Sequence, residues 1–215
     1  VPTAPGFLIR DYGERVMTPA DRAARAANLR SEAVDLLTQT GLFQLLELRF
    51  GRAVVTGSAG YDLMVRRDLD IHMPVEGERW AEWAAFGGEL ALHFEGIGLQ
   101  LHRASFLNDY IEPQPQGAGL CWAIAFRDFS GNPWTCDLWG WEPLDFQIRL
   151  SRDDVLRSDL KRADRDLILK LKSEARDRPD YYGVTVSGYD IYQFAIAQAG
   201  ETLDQLEDWK QQAAE

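Results

Sequence analysis

The sequence predicts an α+β protein: a sheet with flanking helices over residues 1–145, then a small helical C-terminal domain over residues 146–215. Three observations predict it. Short apolar runs, one of them in strict alternation, recur between helix-periodic stretches up to about Trp141. Clusters of Gly, Ser, Asn and Pro punctuate those runs as turns do. After Pro143 the texture changes to charged, helix-periodic sequence.

Residues 18–50 read as helical. Thr18 followed by Pro19 is a cap with proline in the first turn, and Val34, Leu37, Leu42, Leu45 and Leu48 recur at helical spacing around Gly41, the candidate break. Ala53-Val54-Val55 is a short strand stopping at Thr56-Gly57-Ser58, and residues 59–66 form one or two helical turns. From Asp68 to Val75 the chain alternates, with Asp68, Asp70 and His72 on one side and Leu69, Ile71 and Met73 on the other. Residues 79–94 resume a helical pattern through Trp80, Trp83, Phe86, Leu90 and Phe94, despite Gly87-Gly88. A strand follows over residues 99–107 and a Pro/Gly-rich loop over 112–119. Residues 120–129 and 134–141 then form a hairpin across Ser130-Gly131-Asn132-Pro133. Residues 151–176 read as one amphipathic helix striped by Leu156, Leu160, Ala163, Leu167 and Leu171; two more helices cover roughly 189–199 and 201–213.

Composition narrows the function. With 46% hydrophobic and 27% charged residues the chain can bury a real core. No stretch approaches the ~20 uninterrupted apolar residues of a membrane helix. The opening VPTAPGFLIRDYGERV lacks a signal-peptide layout, so a membrane is not expected as a partner and the expected location is cytoplasmic. Cys121 and Cys136 make neither a disulfide framework nor a zinc signature; reduced, buried thiols are expected. A net charge of −11 argues against a nucleic-acid footprint and is compatible with a cationic small substrate. Of the 23 basic residues only Lys161, Lys170, Lys172 and Lys210 are lysines, so two on one short segment stand out.

The chemistry gathers in Val54-Val55-Thr56-Gly57-Ser58, nine residues, then Asp68-Leu69-Asp70-Ile71. A strand delivers the chain to a Gly-Ser turn, and amides opening a short helix bind anions such as phosphate. The next strand projects two carboxylates from one face, which repel unless divalent cations neutralise them. Hard cations such as Mg²⁺ take oxygen ligands and share them with substrate phosphates. Asp137 is the third candidate, the only acid within Trp134-Thr135-Cys136-Asp137-Leu138-Trp139, since Asp is a poor strand former. Asp128 and Glu142 are the next acids in line.

Gly57-Ser58-x9-Asp68-Leu69-Asp70 with a later strand acid resembles the polymerase-β-type nucleotidyltransferase superfamily. The size and helical C-terminal half resemble small bacterial enzymes that adenylylate aminoglycosides or lincosamides. The motif resemblance covers about residues 50–140; beyond it only the general shape matches. It implies a mixed-sheet nucleotidyltransferase fold that transfers a nucleoside monophosphate, AMP from ATP favoured, to a small hydroxylated acceptor. Gly57 and Ser58 would bind the β- and γ-phosphates. Asp68 and Asp70 would bridge two Mg²⁺ (or Mn²⁺) ions, while Asp137 binds the ion at the acceptor and helps deprotonate it. Lys172 or Lys170 would contact the triphosphate.

His72 shares the face of Asp68 and Asp70 and is placed to touch phosphate or acceptor; Trp139, with Trp141, shares that of Asp137 and is placed to stack on a ring. Arg66 and Arg67 precede Asp68, and Tyr181, Tyr182 and Tyr189 lie near the C-terminal turn. Two other readings fit the same residues. One is a catalytically inactive nucleotide- or partner-binding module; the other is a protein-modifying adenylyltransferase of the toxin–antitoxin type.

Overall fold

The computed structural model describes residues 17–111, 117–179 and 181–214. Most of the loop expected at 112–119 and the whole opening stretch 1–16 lie outside those residues. Helix α1 (Pro19–Thr40) starts at a reciprocal cap, in which Thr18 accepts from the Asp21 amide and Asp21 accepts from the Thr18 amide. It stops at left-handed Gly41, and α2 (Leu42–Phe50) follows. After β1 (Val54–Thr56) and the single turn α3 (Gly57–Gly60) comes β2 (Asp68–Pro74), with Leu69, Ile71 and Met73 fully buried as its alternation requires. A 3₁₀ turn leads into α4 (Trp80–Gly96), then β3 (Gln100–Asn108), β4 (Leu120–Arg127) and β5 (Pro133–Trp141). Gly87 is no helix breaker. A Cβ there would lie 2.3 Å from the Trp122 ring, whose indole N–H donates to the Trp83 carbonyl at 2.8 Å.

The five strands form one mixed sheet in the order β1-β2-β5-β4-β3, parallel between β2 and β5 and antiparallel elsewhere. The expected α+β class with a mixed sheet and flanking helices is thus observed. In the β4–β5 turn the Asp128 carboxylate accepts from the amides of Ser130 and Asn132, the Asn132 side chain and the Trp134 indole. Those donors outweigh burial and hold Asp128 below the usual carboxylate range, so this acid organises a turn.

The C-terminal half departs from expectation in one respect. Residues 151–176 are not one helix but the ends of two: α5 (Pro143–Leu160) and α6 (Arg165–Asp177). Asp164 breaks them apart, its carboxylate accepting from the Asp166 and Leu167 amides as an N-cap. The predicted stripe still faces one core, since Leu156, Leu160, Ala163 and Leu167 pack against the cluster that contains buried Leu171. Lys161 therefore caps α5 and is not on the helix of Lys170 and Lys172. Helices α7 (Gly188–Ile196) and α8 (Leu203–Ala214) complete the chain.

Two apolar clusters result. The first lies under the sheet, where Leu69, Ile71, Met73, Ile124, Phe126 and Leu138 meet α1, α2 and α4. The second joins α6, α7 and α8 to Leu63 and Val65, in the loop before β2, and to Ala26 of α1. That loop is thus pinned on the helical side and its strand on the sheet side, which fixes the start of β2. No helix among the described residues is long and apolar enough to cross a membrane. Cys121 and Cys136 are buried and unpaired, as expected.

Candidate functional site

Parallel pairing of β2 with β5 places Asp68 opposite Thr135, Asp70 opposite Asp137 and His72 opposite Trp139. Neighbouring strands lie ~4.8 Å apart, so residues in register share a face at close quarters. The three predicted acids thus come together from two strands on the face away from the first core. On the other side of Asp137 its β4 partner is the small Ala123.

The site stores charge at a cost. Burial, then Asp68 and Asp137, push the Asp70 carboxyl up to about 7, against the pull of Lys172 and Arg66. Asp137 is also raised, by burial and then Asp68, with Arg66 and Arg103 opposing. Asp68 is held differently. Its Oδ2 accepts from Arg66 Nη2 at 2.7 Å and Nε at 3.0 Å, and its Oδ1 accepts a short bond from the Thr135 hydroxyl. Arg66 also lies 5.3 Å over the Tyr182 ring.

Divalent cations are what the resemblance implies here. Carboxylate oxygens are the ligands such hard cations take, and repelling carboxylates on one face are what they relieve. Among the described residues, however, no three or more His, Cys, Asp or Glu side chains form a group that could hold a metal ion. Carboxylate donors are present, but they are not gathered into such a group, and Asp68 is engaged by Arg66 and Thr135.

The Gly-Ser turn abuts these acids. Thr56 ends β1 opposite Asp70, and Gly57 turns the chain at φ +57°. A Cβ on Gly57 would lie 2.0 Å from Asp70 Oδ2, so only a backbone without side chain fits. Two arginines fix the turn, Arg30 donating to the Ala59 carbonyl and Arg157 to that of Gly60. Ser58 is half-buried beside Gly57, and its carbonyl accepts from the Leu63 amide.

The structure separates the two candidate lysines. Lys170 reaches the Glu201 carbonyl at 3.0 Å, at the foot of α8. Lys172 is 1% exposed and donates to the Leu63 carbonyl at 2.7 Å and the Tyr192 hydroxyl at 2.8 Å. Burial pushes it down to about 7, against the attraction of Asp70 and Asp68. Its ammonium is thus committed inward, behind the carboxylates. Arg165, Lys172 and Arg176 stand seven and then four residues apart on one face of α6 and donate to the backbone carbonyls of Asp62, Leu63 and Val65. This row of cations holds the loop that delivers Asp68.

His72 and the tryptophans form the other flank. Burial, then the Arg149 charge, push His72 down to about 4, so it is neutral at neutral pH. Trp139 and Trp141 stack at 4.7 Å and 8°, and Arg149 lies 3.4 Å over Trp141. Trp139 is thus paired with a neighbouring ring, with the Asp137 face beside it. A cleft of about 970 Å³ opens past His72 and Thr56, walled by α5 from Gln147 to Asp159 and by Tyr189 and Gln193 of α7.

Sequence reasoning did not single out Tyr61 and Asp153, which line this cleft and are joined by a short hydrogen bond from the Tyr61 hydroxyl. Their one local signal is the Asp153–Arg157 pair at helical spacing. Of the reserve acids, Asp128 sits in its turn and Glu142 accepts from the Gly77 amide at 2.6 Å. No protein-family model, curated protein or solved structure matches this chain.

Proposed function

We propose that this chain is a metal-dependent nucleotidyltransferase that moves a nucleoside monophosphate, AMP from ATP, onto a hydroxyl of a small acceptor. One observation carries the reading: Asp70 and Asp137 stand in register on parallel strands, with Gly57 of the Gly-Ser turn pressed against Asp70. That arrangement puts a bare backbone turn, suited to phosphate, within reach of paired carboxylates suited to divalent cations.

Asp70 and Asp137, joined by Asp68, would hold the cations, which supply neutralisation of the triphosphate and polarisation of the acceptor oxygen. The chain's own groups would do the rest. The Gly57-Ser58 turn would seat the β- and γ-phosphates. Asp137, held above the usual carboxylate range, would take the acceptor's proton as its oxygen attacks the α-phosphorus and pyrophosphate leaves. Lys172 and Arg66 would offset carboxylate repulsion from behind.

A second reading, a module of the same fold that binds a nucleotide or partner without turnover, is favoured by the Arg66 and Thr135 bonds that occupy Asp68. Incubation with α-labelled ATP, Mg²⁺ and a panel of hydroxylated small molecules and proteins separates the readings. Label on a small molecule is the expected result. Label on protein would shift the acceptor class, and ATP binding without transfer to anything would favour the inactive module.

A further inference from the structure

A second cleft, of about 430 Å³, meets the site at the other end of the carboxylate row, at Thr135. Arg25, Arg66, Arg67, Arg176 and His102 line it, and no acidic residue does. An adjoining hollow of about 510 Å³ shares Arg25, Leu29 and Arg67 and adds Asp21 and Glu32. In a chain of net charge −11 this gathering of cations is out of keeping with the rest of the surface.

Three of the four arginines have a carboxylate partner: Arg66 faces Asp68, Arg67 faces Glu32 at 2.7 Å and Arg176 faces Asp177 at 2.7 Å, and Arg176 also donates to the Val65 carbonyl. Arg25 makes no hydrogen bond or ion pair with a described residue. The covered part of its side chain, then the charges of Arg176 and Arg67, hold it below its ordinary range, with Asp177 opposing. Like charges converging on one hollow repel, and an anion between them relieves the repulsion. Several guanidinium forks suit a phosphate, which has three terminal oxygens and close to two charges, better than a lone carboxylate. The rest of the wall includes half-buried Ala125 and exposed Pro133, which give an organic group an apolar surface in front of buried Leu29, Val65 and Trp134.

We propose that this cleft binds a small phosphorylated organic anion, with Arg25 and Arg67 on the phosphate, the Arg176 charge beside them, and Ala125 and Pro133 against the organic part. The cleft ends at Thr135, whose hydroxyl donates to Asp68, so its ligand lies at the edge of the carboxylate row. In that position, and resting on the nucleotidyl-transfer reading, the ligand is the acceptor, which makes the acceptor anionic and not cationic.

Calorimetry on the full chain in EDTA and without ATP tests the cleft independently of any transfer reaction. The probes are phenyl phosphate, inorganic phosphate and inorganic pyrophosphate. Phenyl phosphate should bind more tightly than inorganic phosphate and weaken as salt is raised. Arg25→Gln and Arg67→Gln should each weaken it by about tenfold, the loss of one charge-assisted contact, with melting temperature nearly unchanged. Absence of phenyl phosphate binding, or binding that both variants leave intact, would overturn the proposal. Binding of pyrophosphate without phenyl phosphate would overturn it too, by assigning the cleft to the leaving group of the nucleotide.

Discussion

Asp70→Asn and Asp137→Asn should each lower nucleotidyl transfer by at least ~100-fold, as removal of a major electrostatic stabiliser does, while the chain stays folded. A carboxamide keeps the shape of the side chain but loses the charge that holds a divalent cation. Folding should not suffer, because the ionised carboxylates are a burden to the native state. The Asp70 carboxyl titrates near 7 when folded against 3.8 ordinarily, so between those values the folded chain binds more protons than the unfolded one. Stability therefore falls as pH rises from about 4 to about 7 and stays lowered above that. Asp70→Asn removes this dependence, and its melting temperature at pH 8 should be no lower than the parent's. Transfer kinetics beside a thermal melt check both halves. Near-normal turnover in Asp137→Asn would remove it from the site, and Asp128 and Glu142 are already engaged elsewhere.

The second large effect belongs to Gly57. Gly57→Ala places a Cβ 2.0 Å from Asp70 Oδ2, in a backbone at φ +57°. Left-handed backbone costs an L-residue roughly 1–2 kcal/mol by itself, and the clash must also move either the turn or the carboxylate. Gly41 supplies a matched control. It is left-handed at φ +62° and ψ 14°, its would-be Cβ meets nothing closer than the Gln44 side chain at 3.9 Å, and it ends α1, outside the site. Gly41→Ala should lose roughly 2–8 °C of melting temperature, as 1–2 kcal/mol does in a chain of this size, and Gly57→Ala at least as much. Only Gly57→Ala should also lose ATP affinity and turnover, each by at least ~10-fold. Equal kinetics in the two variants would show that the Gly57 turn does not approach the nucleotide.

Much of this was legible in the sequence because it was local. Alternation over Asp68–Met73 put two carboxylates on one face of a strand, and the lone acid of a Trp-rich strand marked Asp137. Those inferences need only period two. What the sequence hid depends on distant or backbone partners. Asp70 and Asp137 are 67 residues apart, and nothing in either strand announces that they pair in parallel register. Lys170 and Lys172 both flank an apolar stripe; what sends one to Glu201 and the other behind the carboxylates is where carbonyls of other elements lie. The break between α5 and α6 was masked for another reason. Ala163 and Leu167 continue the stripe of Leu156 and Leu160, and Asp164 among Arg162, Arg165 and Asp166 looks like a solvated helix face and not a cap. The cationic cleft was equally hidden, since Arg25, Arg66 and Arg176 come from three separate segments.

Calorimetry of ATP binding to the unaltered chain, with Mg²⁺ and then with EDTA, decides whether these carboxylates work through a metal. Three carboxylates within one site repel a triphosphate unless cations stand between them. Binding should be clear with Mg²⁺ or Mn²⁺ and should lose at least ~10-fold in affinity on chelation. Equal affinity in both conditions would contradict this, and Asp68, Asp70 and Asp137 would then not be a metal site.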